Sequence, residues 1–417
     1  MKKIAIIGGG FAGIKLAGKL SGKDFEVWLF DKNNFFQFQP LFYQVATSGL
    51  EPSSISFPLR KLFQNKKNFH FRNEEVTRID TDNKLLMTLN NSYSFDQLVI
   101  ATGCTTNFFG NKNIANNAVP MKSVSEALFL RNFILNNFEK ALSVANEKKQ
   151  EYLNIVVVGG GPTGVEVSGA LAEMRKHILP KDYPEIDFKK MNIYLVEAGE
   201  KTLGTMSEIS SKKSKEYLEK MGVNVLTSTQ VTDYDGAIVK FSNGKTIPSQ
   251  TLIWAAGIQG NTIEGLSPEV ITKGNRMIVN RYSQVNGYDF IFALGDIAFM
   301  KSPNYPNGQP QVATVANEQA THLYKNLMNL KHQLPMQEFE YYNKGSMATV
   351  GKNMAVVDLP KFSFQGFLAW VFWMFLHLML ILGVKNKFIV LTNWAWKYFT
   401  SDQSLRLIIK PFERKKS

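Results

Sequence analysis

The clearest hydrophobic pattern in the chain is an apolar run that ends in three glycines, and it occurs twice. Residues 4–7 precede Gly8, and residues 155–158 precede Gly159. Runs of isoleucine and valine without polar alternation are typical of parallel strands that are buried on both faces. Apolar residues at helical spacing follow each glycine triplet. The pattern therefore predicts a strand, a glycine turn and a helix at both places.

The two copies, "KIAIIGGGFAGIKLAGKL" and "NIVVVGGGPTGVEVSGAL", align without a gap at a period of 151 residues. The later stretches "QLVIATGCTT" and "TLIWAAGIQG" resemble each other in the same way. A repeat of this length indicates a duplicated domain and not a solenoid. We expect an α/β fold with two Rossmann-like dinucleotide-binding domains. The copies differ at one informative position, where Lys15 of the first aligns with Glu166 of the second.

Further elements follow from the same pattern. Buried strands are expected at 26–30, at 98–101 and within "DFIFALGDIAF". A long helical pattern begins at Val124 and continues to about Lys149. Ser123 and Glu126 have the spacing of a capping box at its start.

The last 55 or so residues have a different character. Residues 366–383 contain one polar side chain, His377. At ~1.5 Å per residue this run spans about 27 Å, which is marginal for a ~30 Å hydrocarbon core. Two amphipathic helices that lie in the membrane surface therefore fit better than one span. A buried core helix or a dimer interface are the alternatives.

Aromatic and basic residues flank this run as they do at membrane interfaces, where they meet headgroups and anionic lipid. They are Trp370, Trp373, Trp394, Trp396, Tyr398, Lys410, Arg414, Lys415 and Lys416.

Composition excludes several classes of function. Cys104 is the single cysteine, so the chain has no intramolecular disulfide and no redox dithiol, as expected in a reducing compartment. The net charge is +13, of which +6 falls in residues 384–417, so a general nucleic-acid-binding face is not expected. Five histidines without metal-ligand spacing predict no metal site.

The apolar run at 4–7 is shorter than the roughly 7–15 residues of a signal peptide, so we expect a cytoplasmic protein.

The two glycine loops have the G-x-G-x-x-G spacing of a phosphate-binding turn. Glycines let the backbone approach a pyrophosphate, and the following helix N-terminus supplies N–H groups to it. Both loops sit between a predicted strand and a predicted helix, which makes the motif specific. The glycines are Gly8, Gly10 and Gly13 in the first loop, and Gly159, Gly161 and Gly164 in the second.

An acidic residue follows each loop at the end of the next strand. Asp31 lies 18 residues after Gly13, where a carboxylate binds a ribose diol; a solvated turn aspartate is the alternative. Glu197 lies 33 residues after Gly164 because a polar segment is inserted between them. A carboxylate there repels a 2′-phosphate, so we predict NADH and not NADPH.

Two dinucleotide sites without a dithiol indicate FAD plus NADH, with electrons that leave to a third partner. We predict an FAD-binding domain at 1–115 and 275–360, an NADH-binding domain at 116–274, and a membrane-association segment at 361–417.

Several stretches together resemble the type II NADH dehydrogenases, single-subunit NADH:quinone oxidoreductases that do not pump protons. The stretches are "IIGGGFAGI", "FFQFQPLFYQVATSGLEP", "VVVGGGPTGVE", "IFALGDIA" and "PQVATVANEQA", with the membrane-like C-terminus. The resemblance covers essentially the whole chain. It implies a peripheral enzyme at the cytoplasmic face of the cell membrane, which oxidises NADH through FAD and reduces a membrane quinone. Whether the chain forms a homodimer is left open by the resemblance.

The resemblance also assigns cofactor residues. For FAD they are Gly8, Gly10, Phe11, Ala12, Gly13, Asp31, Lys32, Thr47, Val76, Asp296, Ala313 and Thr314. For NADH they are Gly159, Gly161, Gly164, Glu197 and Gly257.

The family places a quinone-site motif, A-Q-x-A-x-Q, on the helix that begins at Ala313. Here both motif glutamines are replaced, by Thr314 and Glu318, while Gln319 follows directly. We expect Glu318 and Gln319 in the quinone region. Glu166 matches the family glutamate that points towards the flavin, where a carboxylate of raised pKa relays protons. The alternative is a glutamate that only stabilises the helix dipole.

Three other functions remain as alternatives at this point. A soluble reductase of the same superfamily would pass electrons to a small redox protein and would not need residues 366–383. A sulfide:quinone reductase needs paired cysteines, and Cys104 alone argues against it. A flavin- and NADH-binding membrane protein without catalytic turnover is the third.

Overall fold

The computed structural model describes residues 1–403 and 405–409. Its α-helices are α1 (Phe11–Leu20), α2 (Phe42–Ala46), α3 (Leu59–Leu62), α4 (Lys112–Asn117), α5 (Val124–Ser143), α6 (Asn146–Leu153), α7 (Pro162–His177), α8 (Leu179–Asp182), α9 (Glu208–Lys220), α10 (Ala313–Lys331), α11 (Phe367–Leu380) and α12 (Val384–Thr400).

The strands are β1 (Lys2–Ile7), β2 (Phe25–Phe30), β3 (Phe35–Gln37), β4 (Ser56–Pro58), β5 (Phe69–Arg72), β6 (Val76–Asp80), β7 (Leu85–Thr88), β8 (Ser92–Ser94), β9 (Gln97–Ile100), β10 (Cys104–Thr106), β11 (Val119–Pro120), β12 (Asn154–Val158), β13 (Asn192–Val196), β14 (Val223–Leu226), β15 (Val231–Tyr234), β16 (Ile238–Phe241), β17 (Thr246–Pro248), β18 (Thr251–Trp254), β19 (Ile258–Gly260), β20 (Met277–Val279), β21 (Ile291–Ala293), β22 (Ala298–Met300), β23 (Ser346–Gly351), β24 (Met354–Asp358) and β25 (Ser363–Gln365).

The chain forms two compact units, each built from separated segments. The first unit comprises 1–37, 57–105 and 258–343, and the second comprises 38–56, 106–257 and 344–417. This division follows contacts within the chain. The predicted division by cofactor stays a prediction.

The first unit is built on a five-stranded sheet in the order β21-β9-β1-β2-β5, in which every neighbouring pair is parallel. The central strand β1 is buried from Ile4 to Ile7, as its apolar run predicts. Strand β21 comes from far along the chain and pairs with β9, so the sheet is discontinuous in sequence. An antiparallel meander of β6, β7 and β8 completes the β-structure next to its core.

The second unit repeats this plan. Its five-stranded parallel sheet has the order β11-β18-β12-β13-β14, with the fully buried β12 at the centre. A meander of β15, β16 and β17 takes the place of the first unit's meander. The unit also contains the antiparallel sheet of β23, β24 and β25. The predicted α/β class with two Rossmann-like sheets is confirmed.

The turn after each central strand requires glycine. Gly8 and Gly159 both have φ near +105° to +109°, in the left-handed half of the map that favours glycine. A Cβ on Gly8 would lie 2.3 Å from the carbonyl oxygen of Ala101, and one on Gly159 would lie 2.7 Å from that of Ala255. The two turns are therefore built by the same close approach to a neighbouring strand end.

Helix α7 makes a second contact that its counterpart α1 does not make. A Cβ on Gly169 would lie 1.6 Å from the carbonyl oxygen of Val350 on β23, so the helix backbone lies directly against that strand. At the aligned Gly18 of α1, the nearest atom to such a Cβ is 4.0 Å away, on Phe63. The equivalent helices therefore have different neighbours.

One predicted helix is shorter than expected. Helix α5 begins after Ser123, whose side chain accepts from the Glu126 N–H, as the capping box predicts. It ends at Ser143 and not near Lys149, because Val144 takes an extended backbone conformation. The polar residues that follow form the separate helix α6.

The C-terminal run folds as two helices, as predicted. Helix α11 ends at Leu380, and α12 begins at Val384 after a short break. Among the described residues, the structure has no helix with the length and apolar character needed to span a membrane.

The predicted aromatic belt is wrong for Trp373 and Trp394. Both indoles are buried, because they pack against one another and the rest of the second unit, whereas Trp396 is exposed. The predicted basic tail, from Lys410 to the end of the chain, lies outside the described residues.

Candidate functional site

The first glycine loop is held by the carboxylate of Asp31. One carboxylate oxygen accepts from the Gly9 N–H at 2.6 Å, and the other accepts from the Asn33 N–H at 2.6 Å. Burial raises the pKa of Asp31, although both N–H donors act to lower it. Asp31 therefore fixes the loop and is partly buried at the strand end, so the solvated-turn alternative does not describe it.

Glu197 does the same for the second loop. Its carboxylate accepts from the Gly160 N–H at 2.5 Å and from the Gly199 N–H at 2.7 Å. In both copies the carboxylate joins the middle glycine of the triplet to the residue two positions after itself. The long insertion before Glu197 thus leaves the acidic residue in the equivalent place.

Both loops have the shape that a pyrophosphate needs. A Cβ on Gly10 or on Gly161 would have no protein atom within 4 Å, so the space beside each of these glycines is open. Helices α1 and α7 begin there without a side-chain cap and without an acidic residue in the first turn. Their N–H groups are available to an anion. The residues present fit FAD at the first loop and NADH at the second.

The first turns of these helices contain predicted cofactor residues. Phe11 and Ala12 open α1, where Ala12 is buried. Gly13 and Gly164 pack against the carbonyl oxygens of Gly8 and Gly159, where a Cβ would lie 1.8 Å away. These glycines let each helix approach its own turn.

Asp296 lies in a short 3-10 turn at the end of β21. Its carboxylate accepts from the Cys104 Sγ at 2.9 Å. Its carbonyl oxygen accepts from Arg276 at 3.1 Å and from Gln311 at 3.0 Å. These bonds hold Asp296 in place within the first unit.

Gln319 lies buried on α10, in the same unit. Its carbonyl oxygen accepts from the Gly295 N–H at 2.7 Å, and its amide donates to Gln309 at 3.0 Å. The side chain therefore holds the turn before Asp296. Its predicted place in the quinone region stays a prediction.

The other residues near the start of α10 are more accessible. The helix begins at Ala313 without a side-chain cap, and the Thr314 hydroxyl lies 2.8 Å from the Tyr341 hydroxyl. Glu318 is half-buried on the same helix. The predicted contacts of Ala313 and Thr314 with FAD, and of Glu318 with the quinone, stay predictions.

Three further predicted FAD residues lie outside the glycine loop in sequence. Val76 is buried at the start of β6, and the exposed Lys32 lies 3.8 Å from Glu75. Thr47 belongs to the second unit, where its hydroxyl donates to the Tyr43 carbonyl at 2.8 Å. Their roles stay predictions.

The second unit contains an open cavity whose volume, together with the solvent space at its mouth, is about 840 Å³. It lies between helix α7, strand β23, helix α2 and the C-terminal helices. Tyrosine and tryptophan side chains contribute to its wall, together with several titratable groups. The residues that bear on its chemistry are Tyr43, Gln44, Glu166, Glu173, His177, Trp370, Trp373, Trp394 and Lys397.

Glu166 is buried in the wall of this cavity. Burial raises its pKa well above the ordinary 4.5, against a smaller opposing effect of the Thr349 N–H. Tyr43 lies nearby, and its pKa is also raised well above 10.0, first by burial and then by the charge of Glu166. Burial therefore favours the protonated form of both groups.

A short hydrogen-bond chain orients Tyr43. The Trp394 indole donates to the Gln44 side-chain oxygen at 2.7 Å, and the Gln44 amide donates to the Tyr43 hydroxyl at 2.9 Å. Because Gln44 occupies an acceptor position of the hydroxyl, the Tyr43 proton is free to be donated elsewhere. Trp373 contributes an indole N–H that has no hydrogen-bond partner among residues 1–403 and 405–409.

Glu173 is the second carboxylate of the wall and has the opposite character. Burial acts to raise its pKa, but Lys397, 2.8 Å away, and the Lys352 N–H at 2.5 Å outweigh it. The net result is a lowered pKa. The cavity thus combines, on one helix, a carboxyl group of raised pKa and a carboxyl group of lowered pKa.

The difference between the two glycine-loop helices now has a structural reason. Lys15 is exposed on α1, whereas Glu166 is buried on α7. The burial of Glu166 follows from the close packing of α7 on β23. Stabilisation of the helix dipole alone does not account for a buried carboxyl group with a raised pKa.

Sequence reasoning missed Tyr43, Glu173 and Lys397. One signal was available for Glu173, because Glu166, Ala170, Glu173 and His177 form a single stripe at helical spacing. No comparable signal exists for Tyr43 and Lys397, which come from distant segments.

Comparison with known proteins agrees with this arrangement. The family model for the pyridine nucleotide-disulphide oxidoreductases matches residues 2–320, and the model for the NDH2 C-terminal domain matches residues 343–402.

Two curated relatives are similar over most of their length. The type II NADH:quinone oxidoreductase NdhA of Mycobacterium tuberculosis is 33% identical over 408 residues, which cover 94% of this chain and 86% of that protein. The type II NADH:quinone oxidoreductase of Haemophilus influenzae is 29% identical, over 86% of this chain and 87% of that protein.

Two solved structures share the fold. NDH2 of Plasmodium falciparum in complex with NADH has a TM-score of 0.90 at 23% identity, over 98% of this chain and 100% of that chain. The sulfide:quinone oxidoreductase of Aquifex aeolicus has a TM-score of 0.71 at 20% identity, over 100% of this chain and 98% of that chain.

The raised pKa of Glu166 predicts a pH-dependent effect of Glu166→Gln. Below about 4.5 the carboxyl is protonated in both folded and unfolded chains, and the variant resembles the wild type. Above that pH the unfolded wild type loses the proton while the folded wild type keeps it. Wild-type stability therefore falls relative to the variant by about 1.4 kcal/mol per pH unit, until the folded pKa is passed.

Thermal unfolding midpoints of the two proteins from pH 4 to pH 8, an approximate range that brackets this transition, measure the difference. The difference should grow with rising pH. A constant difference would mean that folding does not raise the pKa of Glu166.

Proposed function

This chain belongs to the type II NADH:quinone oxidoreductases, and on that premise we propose that its quinone is reduced in the cavity of the second unit, with Glu166 as proton donor. The enzyme oxidises NADH and reduces a quinone. FAD supplies the two-electron chemistry that links the two substrates.

The observation that carries the proposal is the buried Glu166, whose pKa is raised, in the wall of a cavity that several aromatic side chains line. A quinone takes up two electrons and two protons, so a site that excludes water must supply protons from side chains. Burial favours the protonated forms of Glu166 and Tyr43 in this wall. The Trp370 ring offers an apolar surface to a quinone ring, and the Trp373 indole N–H, which has no partner within the described residues, offers a donor.

We assign the resupply of protons to the stripe of α7 that contains Glu166 and Glu173. Glu166 lies at its buried end, and the exposed His177 lies at its solvent end. Glu173 lies between them and stays ionised beside Lys397. An ionised carboxylate on this path attracts protons from solvent towards the cavity. Glu166 is reprotonated there after it has donated its proton.

The two glycine loops hold the dinucleotides. FAD is assigned to the first loop, with Asp31 at its ribose, and NADH to the second loop, with Glu197 at its adenosine ribose. Both carboxylates retain acceptor capacity beyond the N–H groups that they bind. The negative charge of Glu197 supports NADH over NADPH.

The C-terminal helices provide the contact with the membrane. The match of the NDH2 C-terminal domain supports peripheral membrane association. We assign the lipid contact to an apolar face on α11 and α12, opposite the buried Trp373 and Trp394. Its members are Leu368, Val371, Phe375, Met379, Val384, Phe388, Leu391 and Phe399, all exposed.

Two further properties belong to the proposal. The single cysteine supports the cytoplasmic face of the cell membrane, where the compartment is reducing. The apolar face can alternatively form the interface of a homodimer, because an exposed apolar surface of this extent is typical of an interaction site.

Glu166→Gln should slow the quinone half-reaction and leave the NADH half-reaction almost unchanged. The variant should bind FAD and be reduced by NADH at a rate within about twofold of wild type, because its glycine loops are intact. Reoxidation of the flavin by a quinone analogue should slow by about a hundredfold, since a proton donor is lost. Anaerobic rapid mixing, monitored through flavin absorbance, measures both steps.

Lys15→Gln is the matched control, because Lys15 is the aligned and exposed residue of α1. It should leave both steps unchanged. Wild-type reoxidation in Glu166→Gln would leave the helix-dipole role as the explanation of Glu166. A wild-type flavin that NADH does not reduce would contradict the enzyme assignment itself.

The exposed apolar face of α11 and α12 should be needed for membrane binding. Replacing Leu368, Phe375 and Phe388 by serine should weaken binding to phosphatidylglycerol vesicles by about tenfold or more, because three exposed apolar side chains no longer enter the interface. Vesicle flotation measures the bound fraction. Serine at the exposed Ile209 and Ile238 is the control and should not change binding.

Unchanged flotation of the triple variant would contradict the lipid assignment. If the same variant changes from dimer to monomer in sedimentation while it still floats, the apolar face is a dimer interface.

A further inference from the structure

Phe109 is an exposed aromatic residue on a strained backbone. The residue is 67% exposed. Its φ is +52°, in the left-handed region that a phenylalanine rarely adopts. Strain of this kind persists where the surroundings impose it, and it is concentrated at ligand sites.

The surroundings of Phe109 impose this conformation through a fixed loop. The Asn107 side chain accepts from the Phe109 N–H at 2.8 Å, and the Asn107 carbonyl accepts from the Trp254 indole at 2.9 Å. The Asn107 N–H in turn donates to the Gly257 carbonyl at 3.3 Å. The loop is thus tied to the segment that follows strand β18.

The ring of Phe109 lies directly on Gly257. A Cβ on Gly257 would be 2.5 Å from the tip of the ring, so the ring packs against the glycine backbone. The Trp254 ring packs edge-on against Phe109 from the side, with ring centres 6.4 Å apart. The tip of the ring therefore contacts protein, and most of the residue remains exposed.

Phe109 lies near the carboxyl end of strand β18, next to the strand that carries the second glycine loop. Strand β12 carries the second glycine loop, with β13 on one side and β18 on the other. The chain leaves β12 towards β13, so the crevice for a dinucleotide opens at the carboxyl ends between β12 and β18. Gly159 approaches the Ala255 carbonyl there, two residues before Gly257.

The two halves of NADH then take different sides of the loop. Glu197 follows β13 and is assigned to the adenosine ribose. The pyrophosphate crosses the glycine loop, so the nicotinamide half extends towards the end of β18, where Phe109 stands.

We infer that Phe109 contacts the nicotinamide half of NADH and positions it, an inference that rests on the proposed NADH site at the second glycine loop. The open ring offers an apolar surface to the nicotinamide riboside. The rigid loop means that the ring is already in place before NADH binds, so little ordering is needed on binding.

A purely structural role makes a different prediction for the same residue. If Phe109 only covers Gly257, its replacement changes stability and leaves nucleotide affinity alone. Phe109→Gly separates the two readings, because glycine adopts a positive φ without strain and removes the ring.

The experiment measures the affinity of the FAD-loaded enzyme for NAD⁺ by calorimetry, and the NADH concentration dependence of flavin reduction by rapid mixing. Phe109→Ala and Phe109→Gly should each raise the dissociation constant about five- to tenfold. Phe109→Tyr keeps the ring and should stay within about twofold of wild type. Reoxidation by a quinone analogue should not change in any variant.

Phe129→Ala is the matched control, since Phe129 is an exposed phenylalanine on α5 of the same unit. It should bind NAD⁺ as the wild type does. The unfolding midpoint of Phe109→Gly should be at or above that of Phe109→Ala, which shows that the loss of affinity is not a loss of fold.

Wild-type affinity in Phe109→Gly overturns the inference and leaves the proposed NADH site intact. If the wild type itself binds no NAD⁺, the NADH site fails, and the inference fails with it.

Discussion

Helix α7 lies against strand β23 at a point where no side chain fits, and this contact determines the chemistry of the second unit. The Gly169 backbone is so close to the Val350 carbonyl that a Cβ would lie 1.6 Å from it. Held at this distance, helix α7 presents Glu166 to the cavity and shields this side chain from solvent. The aligned Gly18 has no such neighbour, so the duplicated helix of the first unit keeps Lys15 in water. One added packing contact thus distinguishes α7, to which we assign proton transfer, from its counterpart α1.

Burial has opposite outcomes for the two carboxyl groups of that stripe. Glu166 meets the Thr349 N–H, whose effect is smaller than the cost of burying a charge, so its pKa is raised. Glu173 is largely buried, with 13% of its side chain exposed, but Lys397 and the Lys352 N–H stabilise its ionised form. The proposed proton donor therefore lies at the inner end of the cavity, and a fixed negative charge lies nearer to solvent. The fixed charge depends on Lys397 of α12. The same helix carries part of the apolar face to which we assign the lipid contact.

Much of the fold could be predicted from the sequence because its signals are local. Apolar runs that end in glycines specify β1 and β12, and Ser123 with Glu126 specifies the start of α5. The acidic residues Asp31 and Glu197 could be placed because each ends a strand next to its loop. Tyr43, Glu173 and Lys397 could not be placed as a group, because their proximity depends on tertiary packing of three distant segments. The aromatic belt was wrong at Trp373 and Trp394 for a related reason: composition does not tell which face of an amphipathic helix is buried. The break between α5 and α6 left no glycine or proline as a signal.

The contact at Gly169 offers the most direct test of this account, through Gly169→Ala with Gly18→Ala as the matched control. Gly18→Ala should keep wild-type stability and both half-reactions, because its Cβ has room. Gly169→Ala should lower the unfolding midpoint by about 5 °C or more, since α7 must move away from β23. In its FAD-loaded form it should be reduced by NADH much as the wild type is, and be reoxidised by a quinone analogue several times more slowly. Wild-type stability together with a wild-type quinone step in Gly169→Ala would contradict the account, because the packing of α7 on β23 would then not set the position of Glu166.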